Sequence, residues 1–66
     1  MPFVNSSAIS RIEWSSGTLS IWFNDSGRYD YPNVPERVYR AFLAARSKGL
    51  FYNDYIKERY YLTASN

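Results

Sequence analysis

Thr18-Leu19-Ser20-Ile21-Trp22-Phe23-Asn24-Asp25-Ser26-Gly27-Arg28-Tyr29-Asp30-Tyr31 reads as two strands and the turn between them. Leu19, Ile21 and Phe23 fall on one side of the first strand, and Tyr29 and Tyr31 share a face of the second. This is the period of two that lays one face of a strand on a core. Asn24-Asp25-Ser26-Gly27 carries the turn residues between them. Upstream, Ser15-Ser16-Gly17 is another turn cluster. Before it, Ala8 to Ser15 roughly alternates, with Ile12 and Trp14 opposite Arg11 and Glu13. The spacing predicts a three-stranded antiparallel meander.

Downstream, Pro32 breaks the ladder, and Asn33-Val34-Pro35-Glu36 matches a capping box, with Asn33 as cap and Glu36 at the third helical position. The pattern predicts a helix from Val34 to Arg46. Val34, Val38, Tyr39, Ala41, Phe42, Leu43 and Ala45 cover about half its circumference, opposite Glu36, Arg37 and Arg40. So wide an apolar arc needs two neighbours. One is the sheet; the other is Leu50 to Glu58, where Phe51, Tyr52, Tyr55 and Ile56 stand at helical spacing, with Ser47-Lys48-Gly49 as the hinge. From Tyr60 the tail turns polar and is expected to fray unless Tyr60, Tyr61 or Leu62 docks. The expected fold is α+β, a three-stranded antiparallel β-meander followed by two helices packed on one face, with 1–66 as a single domain.

Composition narrows the function classes. Two Trp, seven Tyr and four Phe in 66 residues, with no Cys and no His, leave neither disulfides nor thiolate or imidazole metal ligands. Buried rings must then do what staples do in other small domains, at about 1.5 to 3 kcal/mol for each one fully buried. The N-terminal residues lack the basic and apolar regions of a signal peptide, and no stretch approaches the roughly 20 apolar residues that span a bilayer. A cytoplasmic protein without membrane attachment is expected. Eight Lys or Arg against six Asp or Glu, a formal charge of +2, mildly favours anionic partners.

The chain resembles the KTSC domain, a small domain found at the C-terminus of some lysyl-tRNA synthetases and as free-standing bacterial proteins. The resemblance rests on Val4 with Ser6-Ser7-Ala8-Ile9, Gly17-Thr18-Leu19, the YxY motif at Tyr29-Asp30-Tyr31, Val34-Pro35, Val38-Tyr39, Leu43, and Ser47 with Gly49 and Asn53. It spans nearly the whole chain and implies RNA binding as a suggested role, with no catalytic residue or cofactor to carry over.

Tyr29 and Tyr31 could stack on unpaired bases, as aromatic sheet residues do in RNA-binding folds. They share the apolar face with Ile12, Trp14, Leu19, Ile21 and Phe23, however, and core packing accounts for them better. Trp22 falls instead among Arg11, Glu13, Ser20, Arg28 and Asp30 on the outer face. There it is a cation–π partner of Arg11, a homodimer anchor, or a stacking platform flanked by Arg11 and Arg28. Arg37 and Arg40, then Arg46 and Lys48 at the hinge, form a second candidate patch for phosphates. No serine has a histidine base, no phosphate-cradling glycine loop is present, and Asp54 and Glu58 sit among Lys57 and Arg59 as a solvated surface would. The expected function is a non-catalytic binding module for RNA or other nucleic acid, with Arg11, Trp22, Arg28, Arg46 and Lys48 as candidate contacts. The alternative is a protein-interaction module or homodimer.

Overall fold

The computed structural model describes residues 8–60 and the backbone of 64–65. Strands β1 (Ile9–Ser15), β2 (Thr18–Phe23) and β3 (Gly27–Tyr31) form the antiparallel meander, and a two-residue strand β4 (Ala64–Ser65) extends the sheet in the order β1-β2-β3-β4. Turn chemistry sets the registers. Ser15 pairs with Thr18, so Ser16 and Gly17 alone form the first loop, and their φ values of 50° and 87° are the two positive angles of a type I′ turn. Phe23 pairs with Gly27 across a three-residue loop, and Gly27 at φ 89° is the left-handed residue that closes such loops.

A bulge between Ile9 and Arg11 breaks the alternation of β1. Its consequence is that Ile9 and Ile12, three positions apart, are both fully buried, although a regular strand would place them on opposite faces. They join Leu19, Ile21 and Tyr31 of the sheet, Val34 of the following loop, Phe42 and Ile56 in one core.

The long helix, α1, runs Glu36–Ala44 and is shorter at both ends than the pattern predicts. Asn33 is no cap: it has φ 62°, and Pro35 precedes the helix in extended conformation without a side-chain cap bond. Two forces hold Val34 out of the helix. A residue before proline is driven from helical to extended backbone. The peptide groups of Val34 are also engaged elsewhere, its N–H donating to Gly17 O at 2.9 Å and its carbonyl accepting from Trp14 Nε1 at 2.7 Å. This pair of bonds ties the helix entry to the first hairpin.

After Ala45 and Arg46, which are not helical, α2 spans Lys48–Phe51. The residues expected as a hinge are its start: the Ser47 hydroxyl accepts from Leu50 N–H at 3.2 Å, and Lys48 and Gly49 lie in the first turn. A π-helical segment, Tyr52–Ile56, continues it, closed by Lys57 N–H donating to Tyr52 O at 2.9 Å. Both helical segments cover the apolar face of the sheet. Of the tail, Tyr60 packs against the core and Ala64–Ser65 pair with Asp30 and Tyr29, whereas Tyr61 and Leu62 lie outside the described residues, as do Val4, Ser6 and Ser7. Among the described residues no helix is long and apolar enough to cross a membrane.

Candidate functional site

The outer face of the sheet carries two rows of side chains running across the strands. Arg11, Trp22 and Arg28 are successive partners in one row, and Glu13, Ser20 and Asp30 in the next. The meander produces both rows, because each member is two residues along its strand from its counterpart. The Arg11 guanidinium lies 4.3 Å from the Trp22 ring centroid and that of Arg28 lies 5.6 Å away, so the indole is covered by cations from both neighbouring strands. Each arginine also reaches into the second row. Arg11 is bonded to Glu13, and Arg28 binds Asp30 through two nitrogens at 2.9 and 3.0 Å, with Ser20 Oγ donating to the same carboxylate at 2.7 Å. The Arg28 hydrogen bond holds the Asp30 carboxyl below its ordinary pKa against the opposing effect of burial, and Ser20 adds to the lowering.

The other expected contacts separate. Lys48 Nζ donates to Ala45 O near the end of α1, satisfying a carbonyl left over there, and Arg46 is exposed. Arg40 pairs with Glu36 at 3.2 Å, one turn away on the same helix. Tyr31 is 3% exposed with its hydroxyl 2.8 Å from that of Tyr52. Tyr29 packs against the core, its ring tilted on Phe23 at 5.1 Å.

A second surface emerges on the helical layer. Between α1 and the segment that follows lies an open groove of about 770 Å³, with Ala41, Ala44 and Ala45 on one side and Phe51 and Tyr55 on the other. Phe51 stacks on buried Phe42 at 5.1 Å and lies tilted against Tyr55 at 4.8 Å, so the core fixes the aromatic wall. Tyr55 remains 50% exposed. Arg37 and Arg59 also line the groove, the Arg59 guanidinium 5.9 Å from the Tyr55 ring, and among the described residues no carboxylate does. Among the described residues, ion pairs engage Arg11, Arg28 and Arg40, leaving Arg37, Arg46 and Arg59 without one. Tyr55 and Arg59 were legible only as helical spacing and a solvated face. A ring at i and a cation at i+4 signals a stacked pair, but not that it borders a groove.

No group of three or more His, Cys, Asp or Glu among the described residues is placed to hold a metal. No curated protein matches the chain. A KTSC domain protein from Yersinia pestis, known from a crystal structure, is 34% identical and superposes with a TM-score of 0.92 over 98% of this chain and 94% of that one. The family described as the KTSC domain matches residues 5–60, a description that names a domain and no activity. Meander, helical cover and motif thus agree with family and relative alike, and the chain belongs to the KTSC domain family.

Proposed function

We propose that the chain is a small non-catalytic module that binds single-stranded RNA in the cytoplasm, through the groove on its helical layer. The observation that carries this reading is that the groove's charged lining residues are two arginines without ion-pair partners, Arg37 and Arg59, beside the half-exposed ring of Tyr55. Unpaired bases stack on aromatic faces while guanidinium groups hold the phosphates, and this groove offers both within one side chain's reach. Arg46 follows the groove residue Ala45 and adds a third exposed cation. Arg11 and Arg28 are poorer phosphate ligands here, since each would first give up its carboxylate and its contact with Trp22.

The test is fluorescence anisotropy with a labelled mixed-sequence single-stranded RNA across salt concentrations. Three phosphate contacts give a slope of log affinity against log salt of about −2, and replacing Arg37 and Arg59 together by Gln reduces its magnitude by about 1.4. Tyr55→Ala weakens binding by about 1 to 3 kcal/mol, while Trp22→Phe leaves it unchanged. Absence of binding at low salt would refute the reading, and sensitivity at Trp22 without sensitivity at Tyr55 would move the site to the outer face.

A further inference from the structure

The two rows on the outer face of the sheet have a symmetry that the groove does not use. The row Arg11, Trp22, Arg28 reads cation, large ring, cation, and the row Glu13, Ser20, Asp30 reads anion, small side chain, anion. The rows stand about 6.8 Å apart, the distance between residues i and i+2 of a strand. Consider a second copy facing the first across a twofold axis that runs perpendicular to the strands, midway between the rows. Such an axis leaves each strand opposite itself and exchanges the rows. Arg11 then faces Glu13 of the partner subunit and Arg28 faces Asp30 of the partner subunit, each guanidinium bridging the carboxylate of its own chain and that of the other, and Trp22 projects over Ser20 of the partner subunit.

We infer that the outer face of the sheet is a homodimer interface with this register. Charge, size and symmetry all point to it. A twofold interface must be self-complementary, and here every cation meets an anion and the largest side chain meets the smallest. Trp22 and Ser20 belong to β2, the middle strand of the meander, so the aromatic contact is at the centre of the patch with ion pairs to either side. That is where binding energy concentrates in interfaces, with Trp and Arg as its usual carriers. Two twisted sheets packed face to face keep their strands nearly aligned, which this axis requires. The patch is only three strands wide, so the dimer is a weak one.

Charge exchange tests the register directly, in the absence of RNA. Sedimentation from about 10 µM to about 1 mM shows self-association of the unaltered protein. Glu13→Arg with Asp30→Arg makes the face wholly basic, and Arg11→Glu with Arg28→Glu makes it wholly acidic. Each doubly substituted chain alone is monomeric, and the equimolar mixture associates again. Circular dichroism establishes that both are folded. If either fails to fold, Ser20→Gln is the second probe, since it fills the space that receives Trp22 of the partner subunit and raises the dissociation constant at least tenfold. A protein monomeric at 1 mM, a doubly substituted chain that dimerises like the parent, folded chains that do not associate when mixed, or a Ser20→Gln chain that associates like the parent would each overturn the interface.

Discussion

Beneath the helices, the hydroxyl of Tyr31 shares a hydrogen bond with that of Tyr52 at 2.8 Å, and its ring lies edge-on to the same partner. Burial pushes the Tyr31 pKa well above its ordinary value of 10, and the hydrogen bond to Tyr52 pushes in the same direction. Tyr39 is raised as well, first by burial and then by the charges of Glu13 and Glu36. The sign of the pH effect follows from linkage. Above pH 10 the unfolded chain releases these phenolic protons while the folded chain retains them, so the unfolded state binds fewer protons and stability falls as pH rises. Below pH 10 the contribution is fully present. Melting followed by circular dichroism between pH 8 and 12 is therefore expected to show a midpoint that declines above pH 10. Tyr31→Phe lowers stability at neutral pH by about 1 kcal/mol, the net worth of one hydrogen bond, and makes the alkaline decline shallower. An unchanged alkaline slope in that variant would rule out Tyr31 as its source. The same burial explains why the YxY motif contributes no stacking surface: Tyr31 faces the core and Tyr29 packs at its border.

At the scale of elements, the helical layer is governed by how each helix starts. Ser47 begins α2 with a side-chain hydrogen bond to Leu50 N–H, and this short helix and the π-helical segment that continues it carry Phe51 and Tyr55, the aromatic wall of the groove. Ser47→Ala is expected to lower stability by about 1 kcal/mol in urea denaturation, with Ser47→Asp or Ser47→Asn close to the parent. Equal loss in all three would show that the cap bond is not what matters. Strand positions, both turns and the inward face of β2 and β3 could be read from alternation and turn residues, because those rules act between near neighbours. The start of α1 could not. Asn33 and Glu36 have capping-box spacing, yet Val34 is fastened to Gly17 and Trp14, partners 17 and 20 positions away, and local pattern does not contain them. The rule that could have corrected the reading was present in Pro35, which disfavours helical backbone at Val34. The bulge in β1 was hidden similarly: Ile9 and Ile12 are three apart, and only the pairing with Phe23 and Ile21 reveals that both turn inward. For the candidate site, the outer row of Arg11, Trp22 and Arg28 was legible from register. The groove was not, since the apolar pattern shows that the two helical segments meet but not how far apart their alanine and aromatic faces stand.

Considered as a whole, the molecule has a Cα radius of gyration of 10.5 Å and one core, with no disulfide to restrain the unfolded chain. Its total stability is on the order of 3 to 10 kcal/mol, the range for a domain of this length. A single large side chain is a substantial part of that. Phe42 is fully buried and stacks at 14° on Phe51, which in turn supports Tyr55, so core and groove share one column of rings. Removing the first ring removes both the packing energy and the backing of the wall. Phe42→Ala is expected to cost about 3 to 5 kcal/mol, enough to bring the folded and unfolded populations near balance. Phe42→Leu keeps most of the volume, costs less than about 1.5 kcal/mol and stays folded. Each kcal/mol lowers the melting midpoint of so small a domain by roughly 4 to 8 °C, so circular dichroism separates the two variants from each other and from the parent. A Phe42→Ala midpoint within a few degrees of the parent would mean that the helical layer is not held through this column. The Leu variant carries the decisive comparison: folded, but with Phe51 resting on an aliphatic side chain, it tests whether Phe42 supports the groove through its ring or only through its bulk. If the column positions Tyr55, RNA affinity falls in Phe42→Leu while the sedimentation behaviour assigned to the opposite face of the sheet stays as in the parent.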